Sequence, residues 1–107
     1  MKKLVYIAHP YAHPDPVENT NNVIKIAEVL LRLGYIPYVP HLTLLWHIVS
    51  PHPIDFWYDY DLNILERCDY ILRLGGKSKG GDNEVKFAKK RNIPVCFSIR
   101  ELMEKTR

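Results

Sequence analysis

The residues best placed to do chemistry lie between Arg73 and Ala88, in the run Arg-Leu-Gly-Gly-Lys-Ser-Lys-Gly-Gly-Asp-Asn-Glu-Val-Lys-Phe-Ala. Glycines at 75, 76, 80 and 81 separate a short apolar run from a helical pattern. Glycine lets backbone N–H groups approach a bound anion, and a helix N-terminus adds partial positive charge. Ser78 or Asp82 is a suitable cap for that helix, and either choice places Glu84 in its first turns. There the helix dipole favours an ionised carboxylate. The chemistry on offer is anion binding by Ser78, Lys79 and the Gly80–Gly81 amides, beside a charged Glu84. Two familiar phosphate motifs are excluded. Gly76-Lys77-Ser78 mimics the end of a P-loop, but Ile71 occupies the earlier glycine position, and no G-x-G-x-x-G occurs. The plainer alternative is a glycine-rich turn followed by a solvated glutamate.

Elements of alternating type must position this stretch. Leu4–Ala8 is apolar and β-branched and reads as a central strand, bounded by His9-Pro10. Three prolines stiffen the turn that follows, from Pro10 to Pro16. From Val17 to Leu33 the period is helical, with Val23, Ile26, Ala27, Leu30 and Leu31 on one face. Gly34 ends it. Tyr35–Val39 is a short strand whose Pro37 suggests a sheet edge. Pro40–Pro53 is too apolar for a free loop, while Pro51 and Pro53 break any long helix. A helix over Ile54–Arg67 precedes a strand at Asp69–Leu74. Beyond the Glu84 helix come a strand at Ile93–Phe97 and a short helix at Ile99–Lys105. Strands alternating with helices predict an α/β fold, a small doubly wound parallel sheet in order 2-1-3-4 with helices on both faces. The switch point then falls between the first and third strands, where the His9–Pro16 turn and the Gly75–Glu84 loop converge.

The 107 residues suit one domain over 1–107, and 47% hydrophobic residues suffice for a core. No run approaches a membrane span, and the apolar N-terminal run is too short for a signal peptide. Cys68 and Cys96 form no C-x-x-C and read as free thiols of a cytoplasmic protein. The formal charge of +3 is spread out, apart from Lys86, Lys89, Lys90 and Arg91, which read as a solvated helix face. Neither nucleic acid nor membrane is an expected partner. No cofactor is expected, and no metal either: His9 and His13 are kept from helical alignment by Pro10 and Pro14. His41, His47 and His52 follow no ligand spacing and are read as surface or pocket-lining residues.

Several of these segments, taken together, resemble the nucleoside 2-deoxyribosyltransferase-like superfamily, closest to its small uncharacterised members. The matching residues are Tyr6-Ile-Ala-His-Pro-Tyr11, Trp57 with Asp61, Glu66-Arg-Cys-Asp69, Ser78-Lys-Gly-Gly-Asp-Asn-Glu84, Ala88 and Ile93-Pro-Val95. The resemblance implies cleavage or transfer at the N-glycosidic bond of a (deoxy)nucleoside or nucleoside 5′-monophosphate. It implies Glu84 as the nucleophile, Asp61 beside the leaving base and Tyr6 orienting the nucleophile. It also implies Ser78 and Gly80 at the sugar or a 5′-phosphate. His9, within the matching Tyr6–Tyr11 segment, departs from the glycine common in relatives, and a side chain there narrows the sugar pocket or meets a phosphate.

That chemistry needs a carboxylate under the anomeric carbon and an acid near the leaving base. Glu84 suits the first role, and Asp61 suits the second if Phe56, Trp57 and Tyr58 desolvate it. The rival readings are a solvated Asp61, with Asp59 in its place, and ordinary core packing for Tyr6. A non-catalytic nucleotide-binding or sensing domain on the same fold is the alternative function, and an interaction module using the Leu44–Tyr60 surface is a third. The exposed apolar content of residues 44–57 predicts a homodimer or larger homo-oligomer.

Overall fold

Side chains of Leu4–Ala8 alternate between two sides of the strand, and four of the five residues are buried. In the computed structural model, which describes residues 1–107, this strand (β1) pairs on both edges. β2 (Ile36–Tyr38) lies on one side and β3 (Tyr70–Arg73) on the other, with β4 (Val95–Cys96) beyond β3. Every pairing is parallel, and the order is β2-β1-β3-β4, as the alternating pattern predicts. Pro37 occupies an edge strand, where its missing N–H is tolerated. β4 is shorter than expected because Pro94 has no N–H to give, although its carbonyl still accepts from Ile71 N at 3.1 Å.

The helices cover both faces. α1 (Pro16–Arg32) is capped by Asp15, whose carboxylate accepts from Val17 N at 2.9 Å. Gly34, at φ 93°, turns the chain out of it. A 3-10 turn (Pro40–Leu42) leads into α2 (Thr43–Val49), which stops before Pro51. Then follow α3 (Ile54–Leu65), α4 (Lys79–Lys90) and α5 (Ile99–Lys105). Val5, Ile7 and Leu72 pack with Val23, Ala27 and Leu30 of α1 and Leu102 of α5. Tyr6, Ala8 and Ile71 face the other way, onto Leu65 of α3 and Val85 and Ala88 of α4. The period-2 alternation of β1 thus feeds two separate cores.

One expectation needs correction: Leu31 is half exposed, unlike Val23, Ala27 and Leu30 of its face. The apolar segment after β2 forms only a short helix before Pro51, and α2 buries none of its residues; Leu45, Ile48 and Val49 stay exposed, in keeping with the apolar surface expected there. Cys68 and Cys96 are free and buried. No helix is long and apolar enough to cross a membrane.

Candidate active site

Parallel strands carry their C-terminal ends to one edge, so the loops after β1, β2 and β3 meet there. They enclose a cleft of about 560 Å3. His9 and Tyr11 enter it from the turn after β1, and His41 from the turn after β2. His47 of α2, Trp57 and Asp61 of α3, and Ser78, Gly80 and Glu84 at the start of α4 complete the lining. The proline-rich turn is held by buried Asn19, whose side-chain amide donates to the Tyr11 and His13 carbonyls at 3.0 Å each.

Two tyrosines set the centre of the site. Tyr6 and Tyr38 are register partners on β1 and β2, with ring centroids 5.5 Å apart. Each donates its hydroxyl to a carboxylate from a different helix. Tyr6 bonds Glu84 Oε2, and Tyr38 bonds Asp61 Oδ1 at 3.1 Å. Burial lifts Glu84 to about 7, the Tyr6 hydroxyl opposing, Asp61 adding and the Arg73 cation opposing. Burial also lifts Asp61 to about 7, against the hydrogen bond from Tyr38. Both phenols are raised, first by burial and then by the neighbouring carboxylates, which keeps them as donors. The result is a pair of carboxyl groups that exchange protons around neutral pH.

The physical reason for Glu84's state differs from the expected one. Ser78, not Asp82, caps α4: its Oγ accepts from Gly81 N at 3.0 Å. Glu84 therefore lies in the second turn, where the dipole has faded, and desolvation dominates. The helix start does not hold this carboxylate ionised. Asp82 instead meets Arg73, at 3.4 Å. Arg73 is only 8% exposed, and its guanidinium also donates to the Leu74 carbonyl at 2.7 Å and to the Gly76 carbonyl. The glycines fit around these groups. A Cβ at Gly81 would lie 2.7 Å from Arg73 Nε, and one at Gly75 would lie 2.5 Å from the His9 ring. Gly75 is also at φ 89°, which a side chain rarely adopts.

His9 Nδ1 donates to the Pro10 carbonyl at 2.9 Å, and His41 Nε2 donates to that same carbonyl at 2.9 Å. Burial lowers the His41 pKa, the Pro10 bond opposing and His9 adding to the lowering. On α2, His47 Nδ1 accepts from Trp57 Nε1 at 2.8 Å and from His52 N at 3.2 Å. No three His, Cys, Asp or Glu side chains cluster as a metal site requires.

Of the residues singled out in the sequence, Glu84, Asp61, His9, Tyr11, Ser78 and Gly80 line this one cleft. Tyr6 lies behind it, bound to Glu84. Lys79 is exposed and outside the lining, so it does not join Ser78 and Gly80 there. Asp59 is exposed and holds Asn63 of its own helix, with 2.9 Å from Asn63 Nδ2 to the Asp59 carbonyl. His41, His47 and His52, read from the sequence as surface or pocket-lining residues, line the cleft, whereas Tyr38 and Arg73 joined the site only through the fold. Tyr38 carried one weak signal, its equivalence to Tyr6 on the neighbouring strand.

The architecture is that of a parallel α/β protein with paired carboxylates at the topological switch point. Over residues 3–98 the sequence matches the family described as a domain of unknown function (DUF7768), and the chain belongs to that family. No curated protein matches the sequence. Among solved structures, the 2-deoxyribosyltransferase of the psychrotolerant bacterium Bacillus psychrosaccharolyticus is similar in fold. Its TM-score is 0.66 at 21% identity, covering 94% of this chain and 78% of that one. That protein is described as a biocatalyst for the synthesis of antiviral and antitumoral nucleosides.

Proposed function

We propose that this protein is a glycosyl-transfer enzyme of the wider nucleoside 2-deoxyribosyltransferase-like superfamily, acting at the N-glycosidic bond of a nucleoside. One observation carries the reading. Two carboxyl groups, each on its own tyrosine, line a single cleft, where burial pushes both pKa values up to about 7. Ionised Glu84 attacks the anomeric carbon and forms a glycosyl ester as the carbon–nitrogen bond breaks. The bonding pair leaves on the base nitrogen, which takes the proton of neutral Asp61. Water or a second base then attacks the same carbon, loses its proton to Asp61 and releases Glu84. Tyr6, which donates to Glu84 Oε2, orients the carboxylate for this attack. Fold similarity to a deoxyribosyltransferase supports the reading at the level of architecture. We propose too that the molecule works as a homodimer or larger symmetric oligomer.

The test is base release from a panel of deoxynucleosides, ribonucleosides and their 5′-monophosphates, followed by chromatography. Glu84→Gln should reduce turnover by several orders of magnitude, roughly the loss seen when a nucleophile is deleted. A 2-fluoro-sugar analogue should leave an adduct on the peptide containing Glu84. Undiminished release by Glu84→Gln would move the nucleophile to Asp61. Binding without any release would make the chain a nucleotide-binding module.

A further inference from the structure

The part of the cleft lined by α2 and α3 contains a hydrogen-bond donor that the proposed chemistry does not use. His47 lies on α2, and its Nδ1 receives two N–H groups, Trp57 Nε1 at 2.8 Å and the His52 backbone at 3.2 Å. A nitrogen that accepts twice carries no proton, so the ring proton is on Nε2. The ring is held by those two bonds and by the edge of Trp57, at 6.2 Å between centroids. Trp57 and Asp61 are one turn apart on α3, and both line the cleft. His47 is thus linked through the Trp57 indole to the helix that supplies Asp61. Tyr58, Ile54 and Leu44 add apolar surface to the same part. This part of the cleft combines flat aromatic surface, an acid and one oriented neutral donor.

We propose that His47 is a specificity-determining residue whose Nε2–H bonds an acceptor atom, a ring nitrogen or carbonyl oxygen, on the leaving base. The inference rests on the glycosyl-transfer reading, which places the base beside Asp61. A fixed donor selects strongly, because a base without a facing acceptor leaves it desolvated and unpaired. It serves bases that present an acceptor toward α2 and rejects those that present an amino group or a C–H there.

The experiment compares kcat/KM across the nucleoside panel for wild type, His47→Phe and His47→Gln. His47→Phe keeps a ring and removes the donor, whereas the Gln amide returns an N–H near the Nε2 position. His47→Phe should lower kcat/KM for the preferred nucleoside on the order of tenfold to a hundredfold. It should barely affect poor substrates, and His47→Gln should restore much of the preference. A loss shared equally by every nucleoside, with unchanged ranking, would overturn the proposal and leave His47 a packing residue. A second measurement stands apart from turnover: free adenine, hypoxanthine, uracil and thymine titrated into protein with 15N-labelled histidine. Movement of the His47 Nε2–H signal by one of these bases supports base recognition even if no nucleoside is cleaved, in which case only the glycosyl-transfer reading fails. No movement with any of them overturns it.

Discussion

The pKa values of Glu84 and Asp61 are raised to about 7 for the same reason: each is withdrawn from water more completely than its tyrosine compensates. The proposed attack requires Glu84 ionised and Asp61 protonated, so under that proposal the active form of the pair carries one proton. The rate should follow a bell centred near pH 7, falling on the acid side as Glu84 gains a proton and on the alkaline side as Asp61 loses one. Asp61→Asn should cost about 10²- to 10⁴-fold in turnover and should flatten the alkaline limb. Stability carries the same signature. Both folded-state pKa values are raised above the ordinary carboxylate range, so the folded chain binds more protons than the unfolded chain between roughly pH 4.5 and 7. Their stabilising contribution is complete below that window and is lost as pH rises through about 7. Glu84→Gln should therefore be more stable than wild type at pH 8, by on the order of 1–2 kcal/mol after allowance for partial exposure, and melt higher there, while staying close to wild type at pH 4. A lower melting temperature at pH 8 would contradict the burial argument.

At the scale of elements, the start of α4 shows what the amino-acid pattern could and could not reveal. The strand, glycine turn and helix were legible because each has a local signature: an apolar run, four glycines and a cap. The purpose of the glycines was not legible. It depends on Arg73 folding back onto the Leu74 and Gly76 carbonyls and on His9 arriving from another loop. The bonds that define the site join residues 78 and 23 positions apart, Tyr6 with Glu84 and Tyr38 with Asp61, which no local pattern reports. Gly81→Ala tests the new account. Its Cβ would meet a buried guanidinium held on three sides, and overpacking of that kind costs about 1–3 kcal/mol. The anion nest expected at this helix start also changes. Ser78 already takes the Gly81 amide, and Lys79 is outside the lining. A 5′-phosphate beside Ser78 would also share the cleft with Glu84 and Asp61. Nucleosides should therefore be better substrates than their monophosphates, and Lys79→Ala should leave that ratio unchanged. A selective loss of monophosphate activity in Lys79→Ala would restore the lysine to the site.

The whole molecule exposes an apolar band. Leu45, Ile48 and Val49 of α2 and Ile54 at the start of α3 are each more than half exposed. Next to them, Leu31, Ile36, Leu42 and Trp46 border a second groove between α1, β2 and α2. Patches of this kind usually mark interfaces. We expect a symmetric oligomer by light scattering at micromolar concentration. Ile48→Glu together with Val49→Glu should convert it to monomer without unfolding it, because neither side chain contributes to a core. A wild-type monomer would remove the assembly from the proposal.

The contact between Trp57 and His47 also makes the molecule report on itself. The chain has only two tryptophans, Trp57 lining the cleft and Trp46 on the second groove beside it, with ring centroids 5.2 Å apart. Emission excited at the indole band therefore comes entirely from α2 and α3. The His47 imidazole accepts the Trp57 N–H directly, so the indole's surroundings change whenever that ring moves. A ligand that pulls on His47 should change the intensity, and one that seats elsewhere should leave the spectrum still. Trp46→Phe would isolate the Trp57 signal, so that occupancy could be followed without a label, on a millisecond timescale, in the intact protein.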